Sequence, residues 1–298
     1  MEWAINREDA DLALQISSQS ATFWWIRGHA TEGRRWLHGA LAIRGDASPA
    51  VRIRALEEAA HLAFRQGDNG EARQLADESI RLAQEHGDTG RLARTLRLLT
   101  LVAAGEGDFD RSRALALESA EAARASGDHW ALVMALNNLG LAALESHQPS
   151  QARSLLEEAA SLANANGDER SRAFVLENLA FARLMDGDRL GARTDFVESL
   201  VLANELEFAE VIAMDLTGLA AVEAAGQRFV LAARVLGRAD RLLEETGTYQ
   251  DAIESEVRAQ TLRALEAALG VDALAYELQA GRAFSLDEVV ALALASID

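Results

Sequence analysis

The sequence predicts an all-α, right-handed superhelical solenoid of antiparallel helix pairs, with a repeat of about forty residues. Leucine recurs at this spacing in two columns, Leu56, Leu96, Leu136, Leu176 and Leu216, and Leu99, Leu139, Leu179 and Leu219. Turn signals recur at half the spacing, as Gly-Asp pairs at 67–68, 87–88, 107–108, 127–128, 167–168 and 187–188. Such self-similarity is the signature of stacked helix pairs, because one pair alone cannot bury its apolar face.

Residues 129–168 hold the clearest copy of the repeat. One helical pattern ends near Ser146, and a second runs from Pro149 to about Asn166. We call the first helix of each pair A and the second B, and we expect an A helix of about seventeen residues, or roughly 25 Å at a rise of 1.5 Å per residue. A third column is small, with Ala72, Ser112, Ala152, Ala192 and Ala232, so we expect A and B to cross closely there.

The chain is predicted to be one continuous α domain over 1–298. Residues 1–47 form an aromatic-rich N-terminal repeat, 48–248 form five regular repeats, and 249–298 form C-terminal capping helices. Ser48-Pro49 is a helix-opening pair, and Ser285 with Glu288 forms a capping box before the last helix. Residues 1–6 resemble the tail of a helix, which predicts a longer parent chain; a native start with a short helix is the alternative.

The composition fits closely packed helices and excludes several kinds of chemistry. Apolar residues make up 49% of the 298, and only two are proline. The chain has no cysteine, which excludes disulfides, thiolate catalysis and cysteine-ligated metals. All 29 basic residues are arginine, so a P-loop lysine and a Schiff-base lysine are impossible. The net charge of −18 disfavours direct binding of nucleic acid and of anionic lipid.

No pattern of residues indicates an enzyme, a metal site or a cofactor. The six histidines contain no H-x-x-x-H pair. Adjacent acidic residues such as Glu157 and Glu158 point in different directions on a helix, and neither a Gly-rich phosphate loop nor G-x-S-x-G occurs. No apolar run reaches about 18 residues and no basic-then-apolar N-terminus is present, so we expect no membrane span and no signal peptide, and we predict a cytoplasmic location.

The order of residues in 129–168 resembles the tetratricopeptide repeat (TPR) in a longer-than-usual form. The positions that carry the resemblance are Leu136, Leu139, Gly140, Ala143, Ala152, Leu156 and Ala159. Other copies replace Gly140 by Ala60, Thr100, Ala180 and Ala220, so the assignment depends on the periodicity of the whole chain. The resemblance implies that the A helices line a concave face.

Three segments, FWWIRGHATEGRRWLHGAL at 23–41, GRADRLLEETG at 237–247 and GRAFSLDEVVALALA at 281–295, resemble parts of another family's repeat region. They are similar to the helical repeats of large bacterial LuxR-type and AfsR/SARP-like transcriptional regulators, in which a nucleotide-binding STAND module precedes the repeats. The resemblance implies a sensor and interaction arm, with an upstream NTPase module in a parent protein. Any ATPase or DNA-binding activity would then lie outside these residues.

A ligand groove is predicted on the A helices by stacking equivalent positions of successive repeats. Its charged part contains Arg54, Glu57, His61, Arg94 and Arg97, and its later part contains Met134, Asn137, Asn138, Leu141, Leu144, Phe174, Glu177, Asn178, Phe181 and Met214. Apolar side chains with a few convergent polar groups are typical of a ligand or peptide site. The alternative is that this stripe packs against neighbouring repeats.

The asparagines Asn137, Asn138 and Asn178 support a sharper hypothesis. An amide can donate to and accept from a peptide backbone at once, which would hold an extended segment without reading its sequence. The alternative is a hydrogen bond between helices that supports the solenoid.

Two further groups of residues have simpler interpretations. The B-helix arginines Arg73, Arg113, Arg153 and Arg193, with Glu78, Glu118, Glu158 and Glu198, are interpreted as a solvated convex face with ion pairs between repeats rather than a docking strip. Among the aromatic residues Phe23, Trp24, Trp25 and Trp36, we expect Trp36 in the core and one of Trp24 and Trp25 facing an upstream domain.

These observations predict a non-catalytic domain that binds a protein, a peptide or a small-molecule effector. It would act as the sensor and interaction arm of a larger bacterial transcriptional regulator. The apolar part of the groove would anchor the ligand, and Arg54, Arg94 and Arg97 would meet its anionic end. A stand-alone scaffold that assembles proteins or self-associates, and an enzyme built as an all-helical barrel, are the alternatives.

Overall fold

A computed structural model describes residues 2–43, 45–246 and 252–295. These residues form seventeen α-helices and no strand, which confirms the all-α prediction. The chain divides into two compact units, unit 1 (Met1–Asn138) and unit 2 (Leu139–Asp298). Within the described ranges, no helix is both long enough and apolar enough to cross a bilayer.

Unit 1 begins with short helices and continues with regular ones: α1 (Glu2–Asn6), α2 (Ala10–Gln19), α3 (Ala21–Ile26), α4 (Ala30–Leu41), α5 (Pro49–Arg65), α6 (Asn69–His86), α7 (Thr89–Gly105) and α8 (Phe109–Ser126). The boundary between the units falls within α9 (His129–Glu145). Unit 2 continues with α10 (Pro149–Ala165), α11 (Glu169–Met185), α12 (Arg189–Glu205), α13 (Ala209–Ala225), α14 (Phe229–Thr246), α15 (Ala252–Leu269), α16 (Val271–Arg282) and α17 (Leu286–Ala295). The predicted division near Tyr249 lies outside the described residues.

The regular helices follow the predicted period. A helices start at Pro49, Thr89, His129, Glu169 and Ala209, and B helices start at Asn69, Phe109, Pro149, Arg189 and Phe229, so each series advances by forty residues. Each of α5, α7, α11 and α13 packs against the B helix that follows it. Successive A helices are also in contact: α5 contacts α7 in unit 1, and α11 contacts α13 in unit 2. The stacked helix pairs predicted from the sequence are therefore present in both units.

Each Gly-Asp pair forms the turn predicted for it. Gly87 ends α6 in the left-handed region at φ 69°, where the absence of a Cβ removes the steric cost. Asp88 then caps α7, because its carboxylate accepts a hydrogen bond from the backbone N–H of Arg91 at 3.0 Å. His147, Glu207 and Gln227 take the same positive φ at turns that lack the glycine. The fold therefore requires this backbone shape even where the sequence does not favour it.

The recurring leucine columns are buried, as the spacing predicts. Small residues let the helices approach: a Cβ on Gly140 would lie 2.6 Å from Cγ of the fully buried Leu156. A larger side chain fills the equivalent space elsewhere in unit 2, where the Phe196 ring lies against Gly218 and meets Phe181 edge-on at 4.9 Å between centroids. The predicted close crossing of A and B is confirmed at Gly140.

A column of buried serines joins B helices to A helices. The hydroxyl of Ser79 donates to the carbonyl of Ile53 at 3.3 Å. Ser119 repeats this bond to Ala93 at 2.8 Å, and Ser199 to Ala173 at 2.9 Å. A buried hydroxyl needs such a partner, so the bond both fixes the helix pair and satisfies the serine.

The N-terminal aromatic residues occupy different environments. Trp24 is 4% exposed within a core that includes Leu37 and Leu62. Trp36 is partly buried against the same core, in agreement with its predicted place. Trp25 is 41% exposed and Phe23 is 56% exposed, so these two rings face outward from unit 1.

The close crossing at Gly140 yields a prediction. Gly140→Ala should lower the free energy of unfolding by about 1–3 kcal/mol, because the new methyl group must displace the buried Leu156. Gly105→Ala is the matched control, since a Cβ there meets nothing within 4 Å and alanine favours the helix by up to about 1 kcal/mol. Chemical denaturation of both variants checks this, and equal effects would contradict the packing argument.

Candidate functional site

The predicted site residues fall in both units, and each unit is described by itself. In unit 1 the charged ones belong to a group on α5, α7, the turn before α9 and the start of α9. We call it the arginine cluster: Arg54, Glu57, Glu58, His61, Arg65, Arg91, Arg94, Arg97, Asp128 and Trp130. The cluster holds every member of the charged part of the groove that the sequence predicts, together with neighbours that the sequence did not indicate.

Two arginines of the cluster are paired. Arg91 Nη1 lies 2.7 Å from Glu57 Oε2, and Arg94 Nε lies 2.7 Å from Asp128 Oδ2. Arg94 was predicted to meet an anionic ligand, but its guanidinium already has a carboxylate partner. This ion pair joins α7 to the turn before α9, where Asp128 also caps the helix by accepting from the Ala131 N–H at 3.0 Å.

Arg97 differs from these two arginines. No carboxylate of the described residues lies within ion-pair distance of it, and its Nε is buried without a hydrogen-bond partner. Burial lowers the pKa of its guanidinium. The guanidinium carbon lies 5.1 Å from the ring centroid of Trp130, which is 38% exposed. Arg97 is therefore a largely desolvated cation that is stabilised by an aromatic ring and, from beyond ion-pair distance, by the charge of Glu57.

Arg54 shares one of these properties. Its Nε is also buried without a hydrogen-bond partner among the described residues. It lies close enough to Glu58 for its charge to lower that carboxyl's pKa, but not within ion-pair distance.

Two groups of the cluster have strongly altered acidity. Burial, and then the charge of Glu57, raises the pKa of Glu58 to about 7, although Arg54 and other arginines oppose the change. Burial, followed by the charges of Arg97 and Arg65, lowers the pKa of His61 to about 4. At pH 7 the imidazole is therefore neutral, and Glu58 keeps its proton to a higher pH than an ordinary carboxyl group does.

Sequence analysis missed Glu58, Arg65, Arg91, Asp128 and Trp130 as members of this cluster. Glu58 follows Glu57 and lies one turn from Arg54, and this i, i+4 spacing was a usable signal. Asp128 belongs to a Gly-Asp turn whose capping role was clear, and Trp130 sits two residues later. The ion pairs that join residues of different repeats cannot be predicted from the sequence of a single helix.

In unit 2, several residues predicted for the apolar part of the groove are interior. Leu144, Phe181 and Met214 are at most 5% exposed, so they pack against neighbouring helices, as the alternative interpretation holds. Phe174 is partly buried, and its ring lies 5.9 Å from that of Phe208. Leu141 is also partly buried. Of these five predicted side chains, Phe174 and Leu141 alone offer surface to a ligand.

The asparagines and Glu177 are also mostly interior. In unit 2, Glu177 is 3% exposed and Asn178 is 5% exposed, and the Asn178 amide donates to the Phe174 carbonyl of its own helix at 3.1 Å. In unit 1, Asn137 is 1% exposed, while Asn138 is partly buried with its amide nitrogen unpartnered. Met134 is partly buried. The burial of Asn137 and Asn178 favours the supporting role over the peptide clamp, because a buried amide presents no surface.

Three of the four predicted B-helix arginines, Arg73, Arg153 and Arg193, make ion pairs between repeats, but with partners other than the predicted glutamates. Arg73 pairs with Glu106, and Arg153 Nη1 lies 3.0 Å from Asp186 Oδ2. Glu78 pairs instead with Arg52, which lies on the preceding A helix, at 3.4 Å. The contacts of Arg73 and Arg153 join a B helix to the turn of the next repeat, and pairs of this exposure contribute little each.

Comparison with known proteins identifies the class of fold. A family profile described as anaphase-promoting complex subunit 5 matches residues 50–106 and 107–183, which is less than half of the chain. No curated protein matches the sequence. The solved structures similar to this chain include proteins with TPR-like repeats, so the fold is a TPR-like helical repeat.

The solved structures that are similar over most of the chain include the following three. A Rap protein in complex with Competence and Sporulation Factor has a TM-score of 0.68 and 12% identity, covering 95% of this chain and 77% of that one. The apo form of RapI has a TM-score of 0.61 and 12% identity, covering 84% and 97%. The STAND protein PH0952 of Pyrococcus horikoshii, which has a tetratricopeptide repeat sensor, has a TM-score of 0.59 and 14% identity, covering 88% and 43%. At these identities, the likeness concerns the fold.

The difference between paired and unpaired arginines is testable through stability. Arg97→Met should leave the free energy of unfolding unchanged or raise it by up to about 1 kcal/mol, because it removes a desolvated charge that has no carboxylate partner. Arg91→Met should lower it by about 1 kcal/mol, because Glu57 loses its partner. Urea denaturation of both variants measures this. A larger loss for Arg97→Met than for Arg91→Met would show that Arg97 is a structural residue.

The altered acidity of Glu58 predicts a pH dependence. The folded chain holds this proton more tightly than the unfolded chain, whose pKa is near 4.5, so the stabilisation is complete below pH 4.5 and is lost as pH rises through about 7. Glu58→Gln should therefore raise stability relative to the native chain, by about 1 kcal/mol more at pH 8 than at pH 5 after allowance for solvent screening. His61 acts in the opposite direction between about pH 4 and 6.5 in both proteins, so it cancels in the difference. An equal difference at both pH values would refute the assignment.

Proposed function

We propose that this chain is a non-catalytic interaction domain that binds an acidic segment of a protein or peptide on the A-helix face of unit 1. The observation that carries the proposal is Arg97, whose Nε is buried, whose guanidinium has no carboxylate partner in the described structure, and whose guanidinium carbon lies 5.1 Å from the ring centroid of the exposed Trp130. A desolvated cation is costly unless it is paired, and a ligand carboxylate would supply the missing charge.

The surroundings of Arg97 fit an acidic ligand. The chain as a whole carries a charge of −18, yet arginines gather on α5 and α7. Long-range repulsion by distant acidic residues is screened beyond about 8 Å in physiological salt, so the local arginines dominate at contact distance. Trp130 adds apolar area of the kind that anchors protein interfaces.

The similar structures support a role in recognition. The Rap protein was solved with Competence and Sporulation Factor bound, and PH0952 carries a repeat sensor within a STAND protein. We propose by this likeness that the chain is the sensor and interaction arm of a larger bacterial regulator of the LuxR or AfsR/SARP type. This chain spans 43% of PH0952, and an NTPase module upstream of the repeats would be its partner in a parent protein. A small-molecule effector with an acidic group would use the same arginines.

The proposal is tested with a fluorescent, glutamate-rich peptide as the probe and anisotropy as the measurement. Arg54→Gln and Trp130→Ala should each weaken binding about tenfold, which corresponds to about 1.4 kcal/mol. Arg81→Gln is the control for lost charge, since Arg81 is an exposed B-helix residue that pairs with Glu85 at 2.6 Å. A lysine-rich peptide should not bind.

Two results would contradict this proposal. One is equal weakening by Arg81→Gln, which would mean that only the overall charge matters. The other is a mass in light scattering of at least twice the 32.1 kDa of one chain, together with no peptide binding. This result would favour the self-associating scaffold.

A further inference from the structure

Three residues at one end of the arginine cluster form a distinct group. His61 and Arg65 lie one turn apart on α5, and therefore on the same face of the helix. Arg97 belongs to α7, which packs against α5. Both arginines lie close enough to the imidazole for their charges to lower its pKa. The three side chains thus share one small region of unit 1.

Each of the two guanidinium groups is stacked on a partly exposed tryptophan. The guanidinium carbon of Arg65 lies 4.6 Å from the ring centroid of Trp25, and that of Arg97 lies 5.1 Å from the ring centroid of Trp130. A guanidinium over an aromatic ring can still donate hydrogen bonds through its edge, and no described residue accepts one from Arg65 or Arg97. The edge is the part that forms paired hydrogen bonds to an oxyanion.

The group contains no negative charge of its own. Throughout the described ranges, no carboxylate lies within ion-pair distance of Arg65 or Arg97. Glu57, the one carboxylate that acts on Arg97, is paired with Arg91. Among the other arginines of the cluster, Arg91 and Arg94 have carboxylate partners, whereas Arg54 has none within ion-pair distance among the described residues.

His61 adds a neutral donor close to the two charges. Its ring makes no hydrogen bond to another described residue, and at pH 7 it is uncharged. A neutral imidazole carries one N–H donor, which can bind an oxyanion without adding to the repulsion between the two arginines.

We infer that His61, Arg65 and Arg97 form a binding site for a phosphoryl group. The inference deepens the proposed function and rests on it, because it names the anionic group of the ligand. The charge balance favours phosphoryl over carboxylate: a phosphate monoester carries about −1.5 to −2 near pH 7 and matches two guanidinium groups, whereas one carboxylate balances only one of them. Its three terminal oxygens also suit three donors that approach from two helices.

The phosphoryl group belongs either to a phosphorylated side chain or to a small phosphate compound. Both sources share the chemistry of the site, and the experiment separates them. The probes are a short neutral peptide with one phosphoserine, the same peptide with glutamate or serine at that position, and inorganic phosphate, each titrated calorimetrically into the full chain at pH 7.5.

We expect the phosphoserine peptide to bind at least tenfold more tightly than the glutamate peptide, and the serine peptide to show no binding. Arg65→Gln and Arg97→Gln should each weaken phosphoserine binding at least tenfold, with thermal denaturation confirming that both variants fold. Arg97→Lys, which keeps the charge but loses the planar fork, should fall between Arg97→Gln and the native chain. Arg81→Gln again controls for net charge.

The outcomes separate this inference from the proposed function. Tight binding of inorganic phosphate that blocks the phosphopeptide supports the site and assigns it to a free phosphate compound, whereas tight binding of the phosphopeptide alone assigns it to a modified protein. Equal affinity for the phosphoserine and glutamate peptides, with equal losses in Arg97→Gln, overturns the phosphoryl site and leaves acidic-segment binding standing. Phosphoserine-peptide binding that depends on Arg54 but on neither Arg65 nor Arg97 likewise overturns the phosphoryl site alone. Absence of binding by every probe overturns both.

Discussion

The helix pairs depend on a constraint of length: each regular helix must end and the next must begin within one short turn. A left-handed residue followed by a helix-capping aspartate meets that constraint at Gly87-Asp88 and at the five equivalent Gly-Asp turns. Because the turns have equal length, helix starts advance by forty residues, and the small residue that admits Leu156 against Gly140 arrives in register. The serine bonds from B to A helices depend on the same register.

Structural features that depend only on residues close together in the sequence could be predicted. The Gly-Asp turns, the Ser48 cap and the Ser285–Glu288 capping box all have local signals, and each is present. The buried leucine columns follow from periodicity. The break at Ser20 between α2 and α3 and the serine bonds of Ser79, Ser119 and Ser199 had no comparable signal, since a hydroxyl's partner lies on another helix.

The candidate site could be predicted only in part. Stacking equivalent positions placed Arg54, His61 and Arg97 on adjacent A helices, and the structure brings them into one cluster. The same procedure predicts which face of the helix a side chain lies on, but not how far the side chain is buried. It therefore could not tell that Asn137 would be buried. It also could not tell which arginine forms an ion pair with a carboxylate. Arg94 pairs with Asp128, whereas Arg97 forms no ion pair in the described structure and lies over the ring of Trp130. That distinction, made across repeats, defines the site.

The equal turns also bear on how such a chain can change over generations. Removal or duplication of one whole A–B pair keeps every turn type, and a B helix is still followed by an A helix at the junction. Removal of a single helix would instead place two A helices or two B helices next to each other. The proposed ligand site, however, takes His61 and Arg65 from one pair and Arg97 from the next. A gene that gains or loses a pair would therefore keep its architecture while bringing new side chains together, so the order of repeats is itself a means of altering what is recognised.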